Sequence, residues 1–118
     1  MQILDEKWYH AVFQRRSRRQ FNGESIDPTV LKELMLFSQA LNREFSGARV
    51  EIVNQKSDDV FKGVIGSYGK IEGAPTYVAF IGDSEDPKVQ EKIGYIGEGL
   101  ILEATSMGLG TCWVGGFF

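Results

Sequence analysis

The chain has little of what a self-sufficient catalytic site is made from. Its 118 residues hold one cysteine and one histidine. Cys112 alone gives no intrachain disulfide and no thiolate cluster, and with His10 as the single imidazole a protein-built zinc centre is not expected. Each reads first as a packing residue, Cys112 in a short strand and His10 on a helix. No apolar run approaches the roughly 20 residues of a membrane span. Asp5 and Glu6 stand where a secretory signal would be basic, so the expectation is a cytoplasmic protein without membrane contact. Phosphate-binding glycine motifs are missing too. Gly63–Gly69 lacks the Gly-Lys-Ser/Thr ending of a P-loop, and Gly97-Glu98-Gly99 and Gly108-Leu109-Gly110 fail the dinucleotide spacing. Those glycines read instead as helix packing or a helix C-cap. With 13 basic against 16 acidic residues and a net charge of -3, the chain is not a nucleic-acid binder by composition.

What is present is enough for one packed domain spanning residues 1–118. Hydrophobic residues make up 42% and charged residues 25%, with eight Phe, the balance of a folded chain rather than a disordered one. At this length folding buries roughly two thirds of the unfolded surface, which sustains one core.

Hydrophobic spacing orders the elements. Trp8, Ala11 and Val12, with Tyr9 and Phe13 beside them, form a helical face capped by Asp5 and ending near Arg16. Asp27-Pro28 supplies an N-cap and a first-turn proline for a second helix through Val30, Leu31, Leu34, Met35, Phe37, Ser38 and Leu41. Arg49–Val53 alternates as a strand. Ser57–Asp59 caps a short helix through Ile65, ended at Gly66 and Gly69. Thr76–Ile81, opened by Pro75, is a continuous apolar run that reads as a central strand buried on both faces. A long helix prepared by Ser84–Pro87 runs from Val89 to Met107. Gly94, Gly97 and Gly99 inside it imply close packing against another backbone, because each costs about 1 kcal/mol relative to Ala. Thr111–Val114 is a strand stub or an extended arm. The sum is an α+β layer fold without repeats, linkers or low-complexity tracts.

One feature runs against the acidic balance. Arg15-Arg16-Ser17-Arg18-Arg19-Gln20-Phe21 concentrates four guanidiniums and a hydroxyl between a helix end and the Asn22-Gly23 turn. Guanidinium forks and the Ser17 hydroxyl together suit a phosphate on a small ligand. A solvated basic face, or cations neutralising a helix C-terminus, explains the same residues. Gly115 and Gly116, directly after the last strand, leave backbone N–H groups open to a flat ligand, though a plain turn explains them equally.

Taken together, the stretches RRSRRQF at 15–21, GKIEGAPTYVAFIGD at 69–83 and GYIGEGLILEATSMGLGTCWVGGFF at 94–118 resemble the FMN-dependent nitroreductase family. The resemblance is nearest to its short NADH dehydrogenase/nitroreductase branch. It implies a three-layer α+β fold with a mainly antiparallel central sheet flanked by helices. It also implies that Arg15, Arg16, Ser17 and Arg19 hold the FMN phosphate, ribityl chain and pyrimidine edge. Gly115 and Gly116 match the loop whose N–H groups face the flavin N5 and O4. The family's sites lie between the chains of a homodimer, with NAD(P)H as reductant and a nitroaromatic, quinone or similar small oxidant as acceptor. The enzyme reading then needs no acid–base dyad and assigns no catalytic side chain, since the cofactor carries the chemistry.

Two departures accompany the resemblance. The family commonly has a Pro-Ser-Ser-rich loop after the second helix, where this chain has SQALNREFSGARVE from Ser38 to Glu51. Members also usually continue beyond the Gly115-Gly116 equivalent, so the chain is expected to correspond to a C-terminally truncated form. The alternative function is therefore a nitroreductase-like domain that dimerises or binds a ligand without turnover.

Overall fold

A computed structural model describes residues 6–18, 20–54 and 73–114. The first helix, α1, spans Glu6–Gln14 and buries Trp8 and Ala11. Tyr9, Val12 and Phe13 stay exposed on its outer side, so the apolar stripe is wider than the face that packs. The Asp5 cap lies outside the described residues.

The second helix, α2, spans Pro28–Asn42, and its start follows from two adjacent residues. The Asp27 carboxylate accepts from the backbone N–H of Thr29 at 2.9 Å and of Val30 at 3.4 Å. Pro28, which has no N–H to satisfy, occupies the first turn. Leu34, Ser38 and Leu41 form the buried stripe. The last residue, Asn42, donates from Nδ2 to the Val50 carbonyl at 2.9 Å and accepts the Val50 N–H at 2.7 Å. That bidentate contact fixes the end of α2 to the next strand.

Strand β1, Ala48–Val53, pairs antiparallel with β2, Tyr77–Gly82, with Val50 opposite Phe80. Ala48 and Val50 are buried while Arg49 and Glu51 are exposed and form an ion pair at 3.3 Å on the outer face. Strand β2 departs from the expectation of burial on both faces: Tyr77 through Phe80 are half-buried, and Ile81 and Gly82 are exposed. An antiparallel pair needs only one covered face. Val78 and Phe80 supply the core side, and the continuous apolar run hid that alternation. The short helix expected over 57–65 lies outside the described residues.

The long helix, α3, spans Val89–Ser106. Its start differs from that of α2 although both follow Asp-Pro. Asp86 accepts from the Lys88 N–H at 2.9 Å in a turn before the helix, and the N-cap position, Lys88, makes no side-chain cap bond. The Asp86 carboxylate instead binds Lys92, whose Nζ also reaches the Ser46 carbonyl at 2.9 Å. These bonds join the β2–α3 connection to the loop entering β1. The C-terminus of α3 closes as a Schellman motif. Gly108 has φ 86°, its N–H donates to Thr105 O, and Leu109 N–H donates to Ala104 O, each at 3.0 Å.

The glycines of α3 do not share one role. Gly99 faces Trp8 and Leu41, and Gly97 faces Trp113 and Phe80, but Gly94 faces open space. The expected close partner is therefore a set of side chains at two positions, and Gly94 has none. The main core joins Leu34, Leu41, Ala48, Val50, Ile96, Leu100 and Ala104, with Phe37, Val78 and Phe80 packed around it. Trp8, Ala11 and Leu102 form a second cluster. Helices α2 and α3 thus cover the sheet, and α1 lies against α3.

Thr111–Val114 is not a strand of this sheet. Among the described residues it is an arm with one parallel bridge, between Thr111 and Ser17, while β1 and β2 pair only with each other.

Candidate functional site

Where α1 ends, the basic run begins. Two long-range contacts bring it beside the end of α3. The first is a carboxylate inside the helix packing: Glu103 of α3 is 6% exposed. It accepts from Trp8 Nε1 at 2.7 Å and from Lys7 Nζ at 2.6 Å. The second is the arm after the Schellman turn, whose Thr111 carbonyl accepts the Arg18 N–H at 2.9 Å. Together these contacts hold residues 15–18 against residues 105–111.

A cleft of about 200 Å³ opens between the two segments, lined by Gln14, Arg15, Arg16, Arg18, Thr105, Gly108, Leu109, Gly110 and Thr111. Among the described residues, three guanidiniums and no carboxylate line it. A chain of net charge -3 therefore presents a positive recess at this point, the arrangement that concentrates small anions.

The three arginines are not equivalent. Arg16 Nη1 donates to the carbonyls of Phe13 at 3.1 Å and Arg15 at 2.9 Å. It thereby satisfies backbone acceptors left over at the end of α1. Arg18 packs its aliphatic stem beside Gly110, where an added Cβ would sit 3.1 Å from Arg18 Cγ. Arg15 donates from Nε to Thr111 Oγ1 at 3.2 Å, while its Nη2 is buried with no hydrogen-bond partner. A buried, unpaired guanidinium donor is costly unless an acceptor meets it. Of the cleft's three arginines, Arg15 is the one whose guanidinium keeps a buried donor without a partner.

Of the residues singled out by the sequence, Arg15 and Arg16 line the cleft, and Ser17 is exposed and bridged to Thr111. Arg19, Gly115 and Gly116 lie outside the described residues. Thr111 and Gln14, which also line the cleft, carried no expectation from the sequence, and Arg18 was read only as a member of the basic cluster. The signal for Thr111 was its place directly after a Gly-Leu-Gly turn. Nothing in the sequence says that this turn lands beside residue 15. The buried Glu103 was also missed; its mark is a lone carboxylate in the run Leu100-Ile101-Leu102-Glu103-Ala104.

A protein-family profile described as "Putative TM nitroreductase" matches residues 7–118. The chain belongs to this nitroreductase family. No match was found among curated proteins or among solved structures. Membership of the nitroreductase family gives the chain a redox role and agrees with its α+β architecture of three helices and an antiparallel strand pair among the described residues. In this nitroreductase no described helix is long and apolar enough to cross a membrane. Cys112 is a half-buried thiol whose Sγ lies 3.3 Å from the Trp113 carbonyl. It does not line the arginine cleft.

Proposed function

We propose that this nitroreductase is a flavin-dependent oxidoreductase that takes electrons from NAD(P)H and passes them to a nitroaromatic, quinone or similar small oxidant. The observation that carries the reading is the buried, unpartnered Nη2 of Arg15, a residue lining a cleft that among the described residues has three guanidiniums and no carboxylate. A phosphate supplies the missing acceptor, and its charge matches the recess. At about 200 Å³ the cleft suits the phosphate end of FMN and part of its chain, whereas complete small-molecule sites run from about 300 Å³ upward.

When bound, FMN supplies hydride acceptance and release. The protein's part is grip and orientation: Arg15 binds phosphate oxygen, Thr111 fixes the guanidinium plane through Nε, and Arg18 adds charge. Arg19, Gly115 and Gly116 enter this proposal through their sequence positions alone, Arg19 at the phosphate and the glycine N–H groups at N5 and O4. A homodimer is part of the same reading. Tyr9, Val12 and Phe13 are 65%, 57% and 64% exposed on the helix that leads into Arg15, an apolar surface suited to burial against a twin. Cytoplasmic residence fits a reduced pyridine nucleotide as electron source.

Freshly purified protein is expected to be yellow, to release a compound of FMN mass, and to oxidise NADH or NADPH with a quinone present. A colourless protein that gains no flavin spectrum on titration with FMN refutes the reading. Arg15→Ala is expected to weaken FMN by about 10- to 150-fold, from the roughly 1.5–3 kcal/mol of a charged hydrogen bond. Arg16→Ala should instead lower thermal stability with a smaller effect on affinity, since its described bonds go to backbone carbonyls. Equal effects of the two variants on affinity would contradict the division of roles.

A further inference from the structure

The arm beyond α3 is held at a point remote from the cleft. After the Schellman turn at Gly108 the chain doubles back, and Trp113 lies over Gly97, eleven residues earlier on the helix. That is roughly 16 Å along the axis at about 1.5 Å per residue. The Trp113 ring stacks on Phe80 with centroids 5.0 Å apart and planes at 29°. Its indole N–H donates to Glu98 Oε2 at 3.3 Å. A Cβ added to Gly97 would overlap the Trp113 ring edge at Cη2 and sit 3.1 Å from its Cζ2 and 3.2 Å from Phe80 Cε1. Only glycine leaves room for the ring at that place. Two residues before Trp113, Thr111 Oγ1 accepts from Arg15 Nε.

We propose that Gly97 and Trp113 are positioning residues for the anion site. The indole seated on Gly97 sets the path of residues 109–114, and so keeps Thr111 where its Oγ1 accepts from Arg15 Nε and holds that guanidinium at the cleft. The inference rests on the reading of Arg15 as the anion-holding residue. It adds that the grip is set from the far end of the arm, through groups that touch neither cofactor nor substrate. The Thr111 backbone is tied to the basic run by the bridge to Ser17, which includes the bond from the Arg18 N–H; the indole adds the constraint on the arm's other side.

The test compares Gly97→Ala, Trp113→Leu and Trp113→Phe with the wild type, using the full chain. Alanine is a better helix former than glycine, so Gly97→Ala leaves α3 intact and acts on the indole. Phenylalanine keeps an aromatic ring for Phe80. Two quantities are read well below the unfolding midpoint: the NMR position and water exchange of the Arg15 Nε–H, and the affinity for FMN with inorganic phosphate as competitor. Gly97→Ala and Trp113→Leu are expected to move the Arg15 resonance, speed its exchange and weaken FMN at least fivefold. Trp113→Phe should restore both to within about twofold of wild type. Should Gly97→Ala fail to fold, Trp113→Leu carries the comparison because it adds no volume. An unchanged Arg15 resonance in the folded variants overturns the proposal. A wild type that binds neither FMN nor phosphate, while the Arg15 resonance still moves, overturns the functional reading and leaves the positioning role standing.

Discussion

Replacing Glu103 by alanine tests how the site is assembled, because it removes the acceptor that joins α1 to α3. Two interactions are lost, and they differ in weight. The Trp8 Nε1 bond is buried, and leaving that donor unpaired costs about 1–3 kcal/mol. The Lys7 side chain is 48% exposed, so the ion pair is screened and adds less than about 1 kcal/mol. The expected loss is about 1–4 kcal/mol. For a chain of 118 residues the unfolding entropy is roughly 250 cal/mol/K, so each kcal/mol lowers the midpoint by about 4 °C. Calorimetry should therefore place Glu103→Ala about 4–16 °C below wild type. Glu103→Gln keeps an acceptor for the indole and should fall by less than about 4 °C. A double-mutant cycle with Trp8→Phe isolates the buried bond, and the two changes together should cost less than the sum of their separate effects. An alanine variant within 2 °C of wild type, or glutamine and alanine variants that melt together, would refute the account of Glu103 as a buried acceptor.

Two further outcomes follow from local bonds. Asp27→Ala removes the side-chain cap of α2 and is expected to lower stability by about 1 kcal/mol, with Asp27→Asn within a few tenths of wild type in urea unfolding. The Asp86 carboxylate is held below the ordinary aspartate range, first by the hydrogen bond from Lys92 and then by the Lys88 N–H, against the opposing effect of burial. Its depressed folded value gives stability that is present above the ordinary pKa of about 3.9 and is lost as pH falls through the folded value. Asp86→Asn should flatten the acid limb of the stability curve in that range and change its slope little between pH 6 and 8. An unchanged acid limb would show that the carboxylate titrates without linkage to folding.

Much of the scaffold was legible because local chemistry and tertiary packing agree. Asp27-Pro28 starts a helix in the sequence and in the fold, and the stripe Leu34, Ser38 and Leu41 is its buried face. Gly108 reads as a C-cap and is one. Where the reading fell short, a distant partner decided the outcome. Asp86-Pro87 has the chemistry of Asp27-Pro28, yet Lys92 takes the carboxylate and the helix begins without a side-chain cap. Gly94, Gly97 and Gly99 look alike on paper, but only contacts from Trp8, Leu41, Phe80 and Trp113 separate them. The basic cluster was plain as a cluster. Arg16 bonds to carbonyls one and three residues back, whereas Arg15 reaches Thr111 through Nε, nearly a hundred positions away along the chain, which no local pattern encodes.

The Asn42 amide has a consequence for how this sheet can grow. By engaging both the N–H and the C=O of Val50, one side chain occupies the central rung on which a third strand would need to pair. An incoming strand at β1 would meet an amide already zipped to the backbone, interrupting the ladder at its midpoint. Extension is thereby steered to the β2 side, and β1 is protected against the accidental edge-to-edge joining that exposed strands invite.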